Sequence, residues 1–374
     1  MSTPTSEDRA LRKNCRITML FVALLTVLPH VAASGGRTGR AEGAYLPTLH
    51  RPAGVNGPLV VLHTPGGMGG SGEILEVRQG RVVRVLVRGL PSPHMGGLAP
   101  SPRGRYLAYG EDAAVAPGTP PQTQGLWLVP STGGSPRRLL LPPRSAEGNQ
   151  LGIGPVAWSP DRYTLAYAVN PGGGAMNVSR PEPALGIWLT RYDHVHPRLL
   201  VTFTQLGAVD APPLQAPFVI NQLSWSPDGR ALAVSTFRRL LVATQPARAV
   251  PVILAVNTAT GAVRMLVRGA QDGVFAPRGA ALAYTASGSG PSGGGTLQVA
   301  DAQGRHGRVL AKGPISSPAW APDGRTLAYI DGSTAIRTVA VATGQTRLVL
   351  TVSAQGLHPP GGQFLRLAWM HTRA

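Results

Sequence analysis

The sequence predicts an all-β fold, a six-bladed β-propeller of four-stranded antiparallel blades, and three observations carry this prediction. A phrase of the type Val-Ala-Trp-Ser-Pro-Asp-Gly-x-x-Leu-Ala-Tyr returns about every 50 residues, the period of a propeller blade. Two further short apolar runs follow each copy. Additional runs of the same kind precede the first copy and follow the last. The five copies occupy residues 98–109, 156–167, 223–234, 273–284 and 318–329.

The repeated phrase predicts the first two strands of each blade. At its centre, Ser-Pro-Asp-Gly combines a proline with a preset φ, a turn-forming aspartate and a glycine that takes the left-handed conformation. The apolar residues on either side are therefore expected to pair as a β-hairpin. Three copies depart from the pattern, because Arg103 and Arg278 replace the aspartate and Arg162 replaces the glycine.

The apolar runs after each copy predict the third and fourth strands of the same blade. They are short, rich in β-branched residues and bounded by turn-forming residues, as expected for strands. Third strands are expected at 126–130, 186–192, 252–257, 296–301 and 335–341, and fourth strands at 137–141, 198–203, 263–267, 307–311 and 346–351.

The two ends of the propeller are predicted to complete one blade together. Runs at 59–64, 73–78 and 81–87 match strands two, three and four of a blade that lacks its first strand. The run at 365–370 repeats the beginning of the phrase, with Trp369 at the aromatic position. We therefore expect the C-terminal strand to pair with the N-terminal blade and close the ring, which leaves no free sheet edge at the seam.

Residues 1–33 have the three parts of a secretory signal peptide. Basic residues at 9, 12, 13 and 16 precede an apolar run at 17–28, and Val31 and Ala33 form a small-residue cleavage site. The apolar run is shorter than the roughly 20 residues that span a bilayer. A cleaved signal peptide and an uncleaved N-terminal anchor both remain open. Either predicts an exported protein, periplasmic, extracellular or membrane-anchored and facing outward, with a linker at 34–57 and one propeller domain at 58–374.

Cysteine and charge content narrow the possible partners. Cys15 is the only cysteine, so the propeller has neither a disulfide framework nor a thiolate metal site. The formal net charge is +18 and the sequence pI is about 11.4, which suits an acidic partner. Biased composition is one interpretation of the arginine excess; a basic surface toward an acidic polymer, anionic lipid or acidic protein is the other. We expect a monomer without a nucleic acid partner.

The repeated phrase resembles the TolB-type propeller repeat, a WD-repeat-like unit that also occurs in the propellers of prolyl-oligopeptidase-like proteases. The resemblance extends over residues 58–370 and implies the propeller fold, while it says little about function because propellers host many activities. TolB proteins also carry an α/β domain before the propeller, and residues 34–57 are too few to form one. The resemblance therefore implies a TolB-like propeller without that N-terminal domain.

Several motifs that carry chemistry in other proteins are predicted to be structural here. Residues 290–294 match Gly-x-Ser-x-Gly but lie between two strands rather than at a strand-to-helix turn. Residues 67–72 match Gly-x-Gly-x-x-Gly but precede an alternating strand rather than a helix. His194 and His196 fall in an outer turn with Asp193 as their acidic neighbour, and are interpreted as solvated. The aspartates of the repeated turn belong to separate blades and are expected to cap turns rather than to act together: Asp161, Asp228 and Asp323. We therefore expect no catalytic residue, metal or cofactor.

The long insertions of the chain are predicted to share one face of the ring. In a four-stranded antiparallel blade, the connections from strand two to strand three lie on the same face as those from strand four to the next blade. Long loops without structure of their own are usually functional or disordered. Such loops are expected at 111–125, 170–185 and 237–250 between strands two and three, and at 205–221 and 353–363 between blades.

Polar residues where the inner strands begin are predicted to surround the mouth of the central channel on that face. An alternative is that they satisfy backbone groups in the loops. The candidate ligand-binding residues are Gln150, Asn221, Gln222, Asp272, His358 and Gln363, accompanied by His94, Asn149, Gln271, Ser316 and Ser317.

Three functional hypotheses remain at this point. The first is an exported, non-catalytic propeller that binds a protein or a cell-envelope ligand through the long-loop face. The second is an enzyme of the lactonase or sugar dehydrogenase type with its site at the central channel. Against it, Asp272 is the only acidic residue among the channel-mouth candidates. The third is an accessory propeller that works with a separately encoded hydrolase.

Overall fold

The computed structural model describes residues 56–65, 71–90, 97–111, 124–146, 148, 151–171, 182–209, 219–242, 245–287, 295–353, 357 and 362–372. At 239–242, 245–248 and 287 only the backbone is described. All of these residues belong to the compact unit Pro52–Ala374. The predicted signal segment at 1–33 and residues 34–55 of the predicted linker lie outside them. In the described part of the chain, no helix combines the length and apolar character needed to cross a membrane.

The described residues form strands almost throughout. In chain order these are β1 (Asn56–Thr64), β2 (Gly72–Arg78), β3 (Arg81–Leu90), β4 (Leu98–Pro100), β5 (Tyr106–Glu111), β6 (Gly125–Pro130), β7 (Arg137–Leu140), β8 (Gly152–Trp158), β9 (Thr164–Asn170), β10 (Gly186–Arg191), β11 (Arg198–Thr202), β12 (Val219–Trp225), β13 (Ala231–Val242), β14 (Gln245–Asn257), β15 (Val263–Arg268), β16 (Ala270–Phe275), β17 (Ala281–Ser287), β18 (Gly295–Asp301), β19 (Arg308–Gly313), β20 (Ile315–Trp320), β21 (Thr326–Asp331), β22 (Ala335–Ala340), β23 (Thr346–Thr351) and β24 (Gln363–His371). A short helix, α1 (Phe203–Gly207), lies between β11 and β12.

The strands form six antiparallel four-stranded sheets, which confirms the predicted six-bladed propeller. Blade 1 has the order β24-β1-β2-β3, and blades 2 to 6 follow as β4–β7, β8–β11, β12–β15, β16–β19 and β20–β23. The innermost strands β24, β4, β8, β12, β16 and β20 contact one another in sequence around the ring. The outermost strands are β3, β7, β11, β15, β19 and β23.

Ring closure by the C-terminal strand is confirmed. β24 pairs antiparallel with β1 in a register that places Leu59 opposite Trp369 and Val61 opposite Leu367. The indole Nε1 of Trp369 also donates a hydrogen bond to the carbonyl of Gly57 at 2.8 Å. The first blade therefore takes its innermost strand from the opposite end of the chain.

The repeated phrase forms the predicted hairpin between the first two strands of a blade. In blade 3 the amide of Ser159 donates to the carbonyl of Thr164, and the carboxylate of Asp161 accepts from the amides of Tyr163 and Thr164, each at 2.8 Å. Arg162, which stands where other copies have glycine, has a φ of 75°. The turn therefore imposes the left-handed conformation even without glycine, at some cost in strain.

Each hydrophobic cluster of the described core contains residues of at least two blades. The leucine of each Leu-Ala-Tyr or Leu-Ala-Val segment is fully buried. Two aromatic residues of the phrase also donate hydrogen bonds to the preceding blade, from Trp225 Nε1 to the carbonyl of Ala157 at 3.1 Å and from Trp320 Nε1 to the carbonyl of Val274 at 3.0 Å. Recurrence of the aromatic residue thus reflects blade-to-blade packing.

The prediction of an unstructured loop at 237–250 is wrong. β13 and β14 extend as a paired hairpin, from Phe237 opposite Pro251 as far as Val242 opposite Gln245. The segment contains no glycine, and its described residues continue the strand pairing as far as Val242 and Gln245. The insertion at 205–221 is also partly regular, since α1 extends to Gly207 and β12 begins at Val219.

Candidate functional site

The strand order defines two faces of the ring. The innermost strands begin, and the second strands β1, β5, β9, β13, β17 and β21 end, at one face, which we call the long-loop face. The insertions at 112–123, 172–181 and 210–218 connect strands at this face and lie outside the described residues. The opposite face carries the Ser-Pro-Asp-Gly turns and the short turns between third and fourth strands.

The predicted channel-mouth residues are only partly covered by the described residues. Gln150 and His358 lie outside them, as do His94 and Asn149. Asn221 and Gln222 lie near the beginning of β12, Asp272 lies in β16, and Gln363 is the first residue of β24. These side chains therefore lie on innermost strands at the long-loop face.

A β-bulge recurs in the innermost strands at this level. The pairing with the second strand shifts register between Ile220 and Gln222, between Gln271 and Val274, and between Ser316 and Ala319. Within these bulges, Asp272 and Ser317 adopt left-handed conformations, with φ values of 55° and 50°. Bulges re-aim side chains and release backbone groups from the ladder, so new hydrogen-bond partners are needed here.

Asp272 is one of those partners. It is buried, and its Oδ2 accepts hydrogen bonds from Thr285 Oγ1 and from the backbone amide of Ser317, both at 3.3 Å. Ser317 in turn accepts a hydrogen bond at its Oγ from the amide of Leu367 at 2.9 Å. The side chains thus link blade 5 to blade 6 and blade 6 to blade 1.

The same arrangement joins blade 3 to blade 4 and blade 4 to blade 5. The buried amide of Asn170 accepts from the backbone amide of Ile220 at 3.0 Å and donates to its carbonyl at 2.9 Å. Ser235 Oγ accepts from the amide of Gly273 at 2.8 Å. The contacts of Asp272 and Ser317 therefore agree with the alternative interpretation, in which polar residues at the channel mouth satisfy backbone groups.

Arg366 is a channel residue that the sequence analysis missed. It lies on β24 and its Nη2 donates to the carbonyl of Asn221 at 3.4 Å, across the ring from blade 1 to blade 4. The Nε atom of Arg366 and the Oδ1 atom of Asn221 are buried and have no hydrogen-bond partner among the described residues. The signal was present in the sequence, because Arg366 occupies the same repeat position as Asp272 and Ser317.

Two further buried polar groups lie at the ends of second strands on this face. His63 Nδ1 lies 3.0 Å from Glu73 Oε1, and the imidazole packs against the ring of Phe364 with centroids 5.5 Å apart. In blade 2, burial and the nearby carboxylate of Glu111 raise the pKa of Tyr109 well above its ordinary value. Tyr109 therefore stays neutral, and it packs as part of the core.

Those of the remaining motif residues that the structure describes lie apart in separate turns. Across the described ranges, no three His, Cys, Asp or Glu side chains are grouped so that they could hold a metal ion. His194 and His196 are exposed, and Asp193 pairs with Arg191 at 2.7 Å. Asp161, Asp228 and Asp323 each hydrogen-bond amides of their own turn or its neighbour in separate blades. The glycine motifs at 290–294 and 67–72 fall largely or wholly outside the described residues.

Comparison with known proteins supports the repeat assignment. No protein-family model matches the chain. A segment of 84 residues is 43% identical to the Tol-Pal system protein TolB of Aromatoleum aromaticum, covering 21% of this chain and 18% of that protein. The match thus spans less than a fifth of the curated relative.

Comparison with solved structures gives two further matches, both at low sequence identity. A TolB structure from Agrobacterium tumefaciens matches with a TM-score of 0.47 and 13% identity over 86% of this chain and all of that chain. An oligogalacturonate lyase from Vibrio parahaemolyticus matches with a TM-score of 0.42 and 10% identity over 79% of this chain and 74% of that one. The described strands form a six-bladed β-propeller, and a segment of the chain is similar to TolB.

Proposed function

We propose that this TolB-like propeller is an exported, non-catalytic binding protein that captures a protein or another cell-envelope component through its long-loop face. The observation that carries the proposal is the asymmetry of the two faces. Insertions of different blades, at 112–123, 172–181 and 210–218, all connect strand ends at the long-loop face, whereas the opposite face has short turns. Insertions concentrated on one face of a repeat protein favour that face as the binding surface.

The chemistry of the channel favours binding over catalysis. The acidic candidate Asp272 already accepts two hydrogen bonds, from the hydroxyl of Thr285 and the amide of Ser317. These partners link neighbouring strands and blades, and neither of them is a second carboxylate. A cation, Arg366, reaches across the ring at the same repeat level. This arrangement favours recognition of polar or anionic groups on a partner over a metal-dependent reaction at the channel.

Export is the second part of the proposal. Its support is the basic, apolar and small-residue order of residues 1–33. Fusing residues 1–40 to a reporter that is active only outside the cytoplasm tests it directly. An active reporter is expected, and a reporter that stays cytoplasmic would overturn the assignment to the envelope.

The binding face is tested by shortening loops on a scaffold that stays folded. Replacing 112–123 and 172–181 by short Gly-Ser connections should leave the melting transition nearly unchanged, since loop length has a small effect on stability. Capture of envelope proteins by the immobilised chain should be lost. The matched control changes Arg103 and Arg278 on the opposite face to alanine, which should preserve capture. If those two substitutions abolish capture and loop shortening does not, the opposite face is the binding surface.

A further inference from the structure

The outermost strand of every blade carries exposed basic residues and no acidic ones. This holds for all six strands β3, β7, β11, β15, β19 and β23, which also contain no aromatic residue. We call these side chains the basic rim. Its members are Arg81, Arg84, Arg88, Arg137, Arg138, Arg198, Arg264, Arg268, Arg308, Lys312 and Arg347, all of them exposed.

The acidic residues lie elsewhere in the described structure, and several of them are engaged in contacts within their own turn or strand pair. Asp161, Asp228 and Asp301 accept hydrogen bonds from amides of their own turns. Asp193 and Asp331 pair with arginines on or beside the third strands, Arg191 and Arg337 respectively. Eleven of the 37 residues in the outermost strands are basic, against 35 of 374 in the whole chain, so a biased composition alone does not account for the concentration of positive charge on these strands.

Some members of the rim have structural partners. Arg84 pairs with Glu76 at 3.0 Å and also donates to the carbonyl of Thr132 in the next blade, and Arg308 donates to the carbonyl of Val341 in the next blade. Arg138 stacks over Trp127 with its Cζ 5.5 Å from the ring centroid. Protection of sheet edges explains a charge on each outermost strand, but glutamate would serve that purpose as well as arginine.

Apolar side chains are interspersed with the arginines of the rim. Val83 lies between Arg81 and Arg84, Val309 follows Arg308, and Leu348 follows Arg347; all three apolar side chains are exposed. A partner that matches this surface therefore presents anionic groups and apolar patches in alternation. A linear polysaccharide with carboxylate groups does so, because its sugar rings have C–H faces between the charges, and arginine binds carboxylates bidentately.

We propose that the basic rim is a docking surface for a linear, carboxylate-bearing polysaccharide that follows the circumference of the propeller. Only a flexible chain can contact several blade edges, because a flat membrane meets a single arc of the ring. Duplex DNA has a persistence length of about 500 Å, whereas a domain of this size has a radius of gyration of about 20 Å. Single-stranded nucleic acid binds through aromatic stacking, for which the outermost strands offer no side chain.

The rim acts by summing weak contacts. Each exposed ion pair contributes little and is screened by salt, but successive blade edges along one polymer raise the effective concentration for the next contact. The interaction is therefore expected to weaken steeply as the salt concentration rises. It is independent of the long-loop face, so failure of one proposal leaves the other standing.

The test compares two variants of the full chain that lose the same charge. The rim variant carries Arg81→Gln, Arg137→Gln, Arg198→Gln, Arg264→Gln and Arg347→Gln. The control carries the same change at exposed arginines of the turns between first and second strands: Arg103, Arg162, Arg230, Arg278 and Arg325. Melting curves establish that both variants fold.

Binding to alginate, with neutral dextran as the blank, is measured by calorimetry at two salt concentrations. We expect wild type and control to bind alginate, and the rim variant to lose at least about tenfold in affinity. Equal losses in both variants would show that net charge alone controls binding. The absence of alginate binding, or rim-dependent capture of duplex DNA or anionic vesicles in its place, would overturn the proposed partner.

Discussion

Arg366 donates a hydrogen bond across the central channel to the carbonyl of Asn221, at 3.4 Å, although the two residues belong to innermost strands of opposite blades. A single guanidinium therefore connects blade 1 to blade 4 at this level. The contact is incomplete, because the Nε atom of Arg366 and the Oδ1 atom of Asn221 find no partner in the described structure. A group with unused hydrogen-bonding atoms in the channel contributes little to stability and leaves capacity for a ligand.

Two arginine-to-methionine substitutions compare a guanidinium that makes one long hydrogen bond with a guanidinium that makes two short ones. Arg366→Met should change the free energy of unfolding by no more than about 1 kcal/mol, because its long hydrogen bond is offset by relief of a desolvated charge. Arg238 is fully buried and donates to the carbonyls of Gly207 at 2.7 Å and Val209 at 2.5 Å. Arg238→Met should therefore cost about 2–4 kcal/mol, since those carbonyls lose their partner. Urea titrations measure both values; a larger loss for Arg366→Met would contradict this ranking.

Sequence reasoning reached the features that depend on local pattern. The Ser-Pro-Asp-Gly hairpins, the role of Asp161 as a turn cap and the pairing of β24 with β1 follow from turn chemistry and from the phase of one repeat. The sequence analysis did not predict the extended hairpin of blade 4. A glycine-free segment is compatible both with continued strand pairing and with an unstructured loop, and its local pattern does not distinguish the two.

The channel was harder to predict, because its contacts join residues that are distant in sequence. Asp272 is polar at a channel-mouth position, but its contact is an amide of Ser317 that only the bulge presents. The contact between Arg366 and Asn221 depends on the closed ring, and neither residue's local sequence encodes it. Aligning the repeats would nonetheless have identified Arg366, because this charged residue occupies the same repeat position as the channel-mouth residues Asp272 and Ser317.

Ring closure should dominate the stability of the propeller. Deleting residues 363–374 removes the buried side chains of Phe364, Leu367 and Met370 and leaves β1 as an open edge. We expect the melting temperature to fall by at least about 10 °C, given the size of such a loss in a domain of this length. Deleting only 373 and 374 is the control and should have no effect. Equal melting of the two truncations would show that β24 is dispensable.

A smaller change at the seam between β24 and β1 separates the contribution of one hydrogen bond to stability from the contribution of the whole strand. Trp369→Phe keeps most of the packing but removes the donor to the carbonyl of Gly57. The expected loss is about 1 kcal/mol. A loss comparable to that of the complete deletion would mean that the indole, rather than strand pairing, closes the ring.

The turn carboxylates should make stability fall in acid. Hydrogen bonds from the Ser226 hydroxyl and the Arg230 amide lower the pKa of Asp228 in the folded state. The unfolded chain therefore binds the proton more readily, so the stabilisation is complete above the unfolded pKa of about 3.9 and is lost as the pH falls through the lower folded value. Asp228→Asn should be less stable than wild type at pH 7, and the difference should shrink at pH 3. Melting temperatures at the two pH values measure this; Arg103→Asn, at the equivalent turn position, should show no such convergence.

Gly110 tests how closely blades 2 and 3 approach. A Cβ at this position would lie 2.2 Å from the carbonyl oxygen of Gly154 and 2.9 Å from that of Ile153, so backbone meets backbone with no flexible side chain to yield. Alanine is otherwise favoured over glycine within a strand, so intrinsic propensity alone predicts that replacing Gly110 by alanine raises the stability of the protein. We expect Gly110→Ala instead to cost about 1–3 kcal/mol, the usual effect of overpacking. Gly89→Ala is the control, because no atom lies within 4 Å of its Cβ and its φ of +70° is the only source of strain. If Gly110→Ala unfolds in urea at or above the wild-type midpoint, the two blades are not held at this distance in solution.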